Sequence, residues 1–216
     1  DYMPVPGGWQ WDDAGNYYGA GVHGINFMNN SFAIYLHTGG VGSAAVIDST
    51  DIAGRYLTIN NYLITGGSTD NGVVYSSPYS TTVTLGGTIP ANSTSVLDAS
   101  VPDPPLATAM MLKDRFVALG ISVSGRCLTK RTDAATDTVL EMLATTVSPT
   151  LKEMVTTTNQ ESINLFAGQL CKHLGLVYKG NPSFDAGLDV IKSFLDTAKI
   201  STGSVMLTDA SGLSRD

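Results

Sequence analysis

The chain has 216 residues, 43% of them hydrophobic and 14% charged, enough apolar material for one large domain or two small ones, so wholesale disorder is excluded. No apolar run approaches the roughly 18 residues that a membrane-spanning helix needs, neither end has the basic-then-apolar pattern of a signal peptide, and the chain reads as soluble. Twelve Lys and Arg against nineteen Asp and Glu give a net charge of −7, which argues against nucleic acid, because a phosphate backbone demands a cationic footprint. A small molecule or a protein fits better.

Residues 1–100 hold one base, Arg55, and seven acids, whereas residues 101–216 hold eleven bases and twelve acids. This shift predicts a seam between a β-rich region over 1-100 and a helical, partly stranded region over 101-216. In the first region the hydrophobic period is two: Phe32-Ala33-Ile34-Tyr35-Leu36, Tyr56-Leu57-Thr58-Ile59 and Thr82-Val83-Thr84-Leu85 read as strands. Asn29-Asn30, Gly39-Gly40, Gly66-Gly67, Asp70-Asn71-Gly72 and Gly86-Gly87 read as the turns between them, since Gly and Asn tolerate positive φ.

Val101-Pro102-Asp103-Pro104-Pro105 reads as a rigid connector, because each proline fixes its own φ and pushes the preceding residue out of the helical region. The period then changes to 3.6. Helices are expected around 106-119, 149-157, 160-174 and 185-198. Met111, Leu112, Phe116 and Leu119 share a face of the first, with Gly120 as its stop. Ser148-Pro149 reads as N-cap and first residue of the second. Leu165, Phe166, Leu170 and Leu174 follow in the third, and Leu188, Ile191, Phe194 and Leu195 form the apolar side of the fourth. Ser204-Val205-Met206-Leu207 reads as a strand.

Cys127 and Cys171 are too few for a disulfide framework and lack partners at zinc-ligand spacing. They read as buried thiols, with a single disulfide as the alternative. Nothing in the sequence implies a metal or a cofactor.

Ser162 and Asn164, two apart at a predicted helix junction, form the most informative pair. A hydroxyl can pass a proton, and an amide can donate to a carbonyl and accept from an ammonium. By spacing alone they could equally be a capping serine and a solvated asparagine.

Three segments carry more together than apart: Gly8-Trp9-Gln10-Trp11-Asp12-Asp13-Ala14-Gly15-Asn16-Tyr17-Tyr18-Gly19-Ala20-Gly21, then Asn159-x-x-Ser162-x-Asn164-Leu165-x-Ala167, then Asp209-x-Ser211-Gly212-Leu213-Ser214-Arg215. Their order and separations resemble the D-alanyl-D-alanine carboxypeptidase/endopeptidase family, the class C low-molecular-mass penicillin-binding proteins. The resemblance spans nearly the whole chain, and the chain looks like an internal stretch of such a protein, of the kind found in the Gram-negative periplasm. It implies an α+β fold, a β-rich accessory region followed by a helical α/β part of a β-lactamase-like transpeptidase domain.

The family hydrolyses peptides through an acyl-serine, using Ser-x-x-Lys, Ser-x-Asn and Lys-Thr-Gly. Here the second motif is present. No Lys has Ser or Thr three residues before it. The nearest imitation, Cys127-Leu128-Thr129-Lys130, reads as an exposed basic turn, and His37-Thr38-Gly39 and Ser201-Thr202-Gly203 read as turns at strand ends. The resemblance therefore implies a fragment that is inactive alone, from a protein acting on the D-Ala-D-Ala bonds of peptidoglycan peptides and acylated by β-lactams.

In that mechanism Ser162 relays a proton to the leaving amine, and Asn164 holds the substrate amide and the lysine. Asp13, Tyr18 and Arg215 map onto residues that clasp the zwitterionic end of a diaminopimelate side chain, a task suited to one anion, one guanidinium and an apolar wall. Asp12 and Tyr17 are the alternative register, and Trp9 or Trp11 a further wall, unless the tryptophans are core anchors. Gly168 stands where the family commonly has Glu, at a helix-propensity cost of about 1 kcal/mol. Ala210 stands in place of Gly, and Pro182 interrupts a usually glycine-rich loop. A non-catalytic cell-wall or carbohydrate-binding module is the competing reading, with Trp9, Trp11, Tyr17 and Tyr18 as stacking aromatics.

Overall fold

The computed structural model describes residues 3–51, 53–132, 144–203 and 205–215. After a one-turn helix α1 (Trp11–Ala14), the chain enters β1 (Ser31–His37), whose alternation buries Phe32, Ile34 and Leu36. β1 lies between β2 (Val46–Thr50) and β8 (Thr94–Ser100), antiparallel to both. The second sheet has the order β3 (Thr58–Asn61), β6 (Thr82–Gly86), β5 (Val73–Tyr75), with β3 parallel and β5 antiparallel to β6. A short parallel pair, β4 (Ile64–Thr65) with β7 (Thr88–Ile89), completes the strands among the described residues. Inward residues of these sheets, among them Val74, Val83, Leu85 and Ile89, make one core, onto which Ala107 and Met111 of the next helix also pack. The runs at 32–36 and 82–85 are strands as expected, but the run read over 56–59 begins only at Thr58, because Tyr56 ends a turn of 3-10 helix (Ala53–Tyr56). At the expected turns Asn29, Asn30, Gly67 and Gly87 have positive φ, and the Asp70 carboxylate accepts from the Gly72 amide.

Four helices follow among the described residues. α2 (Pro104–Ala118) is capped by Asp103, which accepts from the Leu106 amide, and ends at Gly120 with φ +81°. α3 (Leu151–Glu161) starts two residues later than the Ser-Pro signal suggested. Thr150 and Glu153 form a reciprocal capping box, satisfying two amides that Ser148 would have left open. Those same bonds hold the Glu153 carboxyl below its usual range. α4 (Asn164–Lys179) and α5 (Phe184–Thr197) pack together over a second core of Val22, Leu165, Cys171, Phe184 and Leu188.

Three further expectations need correction. Residues 205–207 form no strand; the Val205 amide closes a turn on the Thr202 carbonyl, and no ladder partner lies alongside among the described residues. Ser201-Thr202-Gly203 consequently follows a helix instead of ending a strand. Phe194 is 69% exposed, off the buried side of α5, and Cys127 is half-buried while Cys171 is fully buried; both thiols are free. Gly168, unfavourable by propensity, is explained by packing: a Cβ there would lie 2.7 Å from Val22 Cγ2, so a glutamate could enter only if the second core moved.

His23, edge-on to Tyr79, is held down to a pKa of about 4, chiefly by burial, with Lys172 and Arg131 opposing its charge and Asp103 favouring it. The unfolded chain therefore binds more protons between pH 6.5 and about 4. The stability is intact above the higher value and is lost as pH falls toward the lower. Wild type should lose about 2 kcal/mol more than His23→Gln between pH 7 and pH 4, after discounting for the ring's partial exposure. Urea titrations at both pH values measure this, and parallel losses would contradict it.

Candidate active site

The N-terminal motif folds back on itself. α1 is one turn long, and a turn of 3-10 helix over Tyr17–Gly19 returns the chain so closely that a Cβ on Gly19 would meet the Asp13 carbonyl oxygen at 2.0 Å. This return brings the Tyr18 hydroxyl to donate to Asp13 Oδ1 at 3.2 Å. Burial, then the adjoining Asp13 carboxylate, raises the Tyr18 pKa, so the phenol keeps its proton and remains a donor. Asp13 is 3% exposed and its Oδ2 has no hydrogen-bond partner among the described residues. A buried carboxylate oxygen without a partner costs about 1–3 kcal/mol, which a donor brought to it would offset. Asp12 and Tyr17, the alternative register, stay at the surface.

The Ser162 and Asn164 pair sits at the junction of α3 and α4. Ser162 ends α3 in the left-handed conformation, φ 53° and ψ 48°, with its side chain exposed, while Asn164 is the first residue of α4. The asparagine is not simply solvated: its Nδ2 donates to the Tyr18 carbonyl at 2.9 Å. One hydrogen bond thus joins this junction to the Asp13 turn, 146 residues away in sequence.

The third segment is organised by Asp209, which is buried. Its Oδ1 accepts from the Ser211 and Gly212 amides, and its Oδ2 accepts from the Ser214 amide, the Ser214 hydroxyl and Trp9 Nε1. Burial works against its charge, but the bonds from Ser214, Gly212 and Ser211 outweigh it and hold the carboxyl below its usual range. Trp9 is therefore an anchor that ties the first motif to the last. Sequence reasoning gave Asp209 only as the first residue of the third motif and missed its role, although an aspartate followed two and three positions on by Ser and Gly is the usual signature of a side chain accepting from its own turn.

Held by that turn, Arg215 places Nη2 3.8 Å from Asp13 Oδ1, with its side chain 59% exposed. The structure thus brings Asp13, Tyr18 and Arg215 together and links them through Asn164 to Ser162. Trp11 stands apart. The residue is 69% exposed and its ring meets that of Tyr75 at a tilt of 51°, 5.4 Å between centroids, whereas Asp13 is buried. No group of three His, Cys, Asp or Glu suited to a metal ion occurs among the described residues. The cluster supplies one buried anion with a free oxygen, one accessible guanidinium, a phenol, a hydroxyl and an amide, which can orient a substrate and pass a proton. The Ser-x-x-Lys pattern of an activated nucleophile is not in the sequence.

Comparison with known proteins bears on the family and the fold. The family model of the D-Ala-D-Ala carboxypeptidase 3 (S13) family matches residues 3–216. A D-alanyl-D-alanine carboxypeptidase of Actinomadura sp. (strain R39) is 27% identical over 197 residues, covering 90% of this chain and 36% of that protein. Penicillin binding protein 4 (dacB) of Haemophilus influenzae superposes with a TM-score of 0.81 at 20% identity, covering all of this chain and 48% of that one. The same protein complexed with a β-lactam gives 0.70 at 21% identity, covering 89% of this chain and 44% of that one. The α+β fold is that of these penicillin-binding proteins, and the chain spans between about a third and a half of their length.

Proposed function

Because this chain belongs to the D-Ala-D-Ala carboxypeptidase 3 (S13) family, we propose that it is the central part of a serine-type D-Ala-D-Ala carboxypeptidase or endopeptidase working on peptidoglycan stem peptides in the periplasm. The observation that carries this reading is the buried Asp13 carboxylate, with one oxygen open and the Arg215 guanidinium 3.8 Å from the other. An ammonium on the open oxygen and a carboxylate on the exposed guanidinium would complete both charges, as the zwitterionic end of a diaminopimelate side chain does. Tyr18 would wall the pocket.

Ser162 then relays the proton to the leaving amine, and Asn164 orients the substrate amide, its position kept by the bond to the Tyr18 carbonyl. The nucleophilic serine, its lysine and the Lys-Thr-Gly strand come from parts of the protein outside this stretch. In this assignment residues 1–100 are an accessory region that lends its first motif to the pocket, and residues 101–216 carry Ser-x-Asn. β-Lactams would acylate the whole protein and not this chain.

Intact-mass spectrometry after incubation with a labelled penicillin tests the division of labour. The 216-residue chain should remain unmodified, and the full-length protein should gain one acyl group. A stoichiometric adduct on any residue of this chain would overturn the placement of the nucleophile outside it, and no adduct on the full-length protein would overturn the enzyme assignment.

A further inference from the structure

β6 alternates strictly. Val83 and Leu85 point into the core, so Thr82 and Thr84 face outward. Tyr75 on β5 is the cross-strand partner of Thr84, and Thr58 and Asn60 on β3 are in register with Thr82 and Thr84. The outer face of this sheet is therefore a continuous row of neutral polar side chains ending in an aromatic ring.

Trp11 closes one side of that face. Its ring stands at 51° to Tyr75, so the two form a corner above an open pocket of about 450 Å³, floored by Ser77, Ser80, Thr82 and Thr84. No Lys, Arg, Asp or Glu lines it. The hydroxyls of Ser77, Thr82 and Thr84 make no hydrogen bond to the described residues. The corner is rigid, because α1 is clamped to the sheets: the Asn16 side chain accepts from the Val74 amide, Gly15 lies against the Val74 carbonyl, and the Ser100 hydroxyl donates to the Ala14 carbonyl at 2.6 Å. A pocket already formed spends little binding free energy on ordering.

An exposed Trp11 ring and a half-buried Tyr75 ring beside unpartnered hydroxyls, with no charge, suit a ligand that is polar, neutral and apolar on one face. A pyranose has that character: its C–H face lies on an aromatic ring while its hydroxyls exchange hydrogen bonds with serines and threonines. Charged peptide ends and phosphates have no counter-ion here. We infer that the Trp11–Tyr75 corner on the β3–β6–β5 face is a subsite for the neutral N-acetylated sugars of the glycan strand. This inference rests on the peptidoglycan reading above. α1 faces two ways, with Asp13 toward the peptide pocket and Trp11 toward the sugar, so one short helix would register a stem peptide against the strand that bears it.

Titration with the N-acetylglucosamine tetramer, which has no peptide, isolates this site. Calorimetry and tryptophan fluorescence on the 216-residue chain should show saturable binding, weakened at least about tenfold by Trp11→Ala and by Tyr75→Ala and unchanged by Asp13→Asn. Trp11 is exposed, so its replacement leaves the fold intact, and thermal melts check this. No binding by wild type, or equal binding by both aromatic variants, would overturn the inference. In the full-length protein the same Trp11-dependent binding is expected, and its absence would mean that the enzyme's own chain covers the corner, which also overturns the inference. The result is separable from the peptidase reading: tetramer binding without penicillin acylation would keep the subsite and remove the enzyme.

Discussion

Replacing Gly15 with alanine should lower the thermal midpoint by about 6–12 °C, the equivalent of about 3 kcal/mol in a chain of this size. A Cβ at this position would lie 2.0 Å from the Val74 carbonyl oxygen, 2.5 Å from its carbon and 2.7 Å from the Ser76 amide nitrogen. All three are backbone atoms of β5 or the residues just after it, so no rotamer change relieves the overlap. Nor can α1 retreat freely, because the Ser100 amide donates to the Gly15 carbonyl at 2.9 Å and the Ser100 hydroxyl donates to Ala14. The loop must therefore lose either its contact with β5 or its bonds to β8. Gly168→Ala offers a contrast, since its nearest obstacle is a Val22 methyl at 2.7 Å, which can move at lower cost. Differential scanning calorimetry of the two variants beside wild type measures the difference. A Gly15→Ala midpoint within 2 °C of wild type would show that α1 is not held as described.

Asp13→Ala in the full-length protein should cut kcat/KM on diaminopimelate-containing peptides by about 10- to 150-fold, or about 1.5–3 kcal/mol of transition-state stabilisation, the scale of a charge-assisted hydrogen bond. The carboxylate is buried, one oxygen accepts from Tyr18 and the other has no partner, so its open valence is the one a substrate ammonium would fill. A simple D-Ala-D-Ala substrate without that side chain should be hardly affected. Asp13→Asn separates role from fold, because it keeps the shape and the bond from Tyr18 while removing the charge. If both substrates lose activity equally with either variant, Asp13 supports the structure and the pocket assignment falls.

Much of the architecture was legible because its causes are local. The alternation of Phe32, Ile34 and Leu36, or of Val83 and Leu85, assigns a face to each strand whatever lies beside it. The prolines after Val101 fix φ on their own account and Gly120 takes the positive φ that a helix stop needs, so α2 is bounded close to where the period of 3.6 placed it, whereas the helix expected over 160-174 starts at Asn164 and runs on to Lys179, ending at Gly180. Errors arose where local signals competed. Ser148-Pro149 is a fair helix start, but Thr150 and Glu153 satisfy each other's amides and so took the cap. Residues 205–207 have strand-like composition, yet a strand exists only through a neighbour's ladder, which composition does not reveal.

The family motifs named the residues of the site but not their roles in space. Two tryptophans two positions apart look alike in sequence. Only the fold gives Trp9, in the bend before α1, to the Asp209 carboxylate, and Trp11, the first residue of α1, to Tyr75. Asp13 and Arg215 have no local reason to meet; they do so because Asp209 folds the last segment onto Trp9 and because Gly15 and Gly19 lack the Cβ atoms that would hold the first motif open. The residue types, their order and the periods of their apolar neighbours were determined by sequence. The single cluster they form, and the outward corner behind it, were decided by close backbone approach and by hydrogen bonds across about 200 residues, which depend on the whole chain having folded.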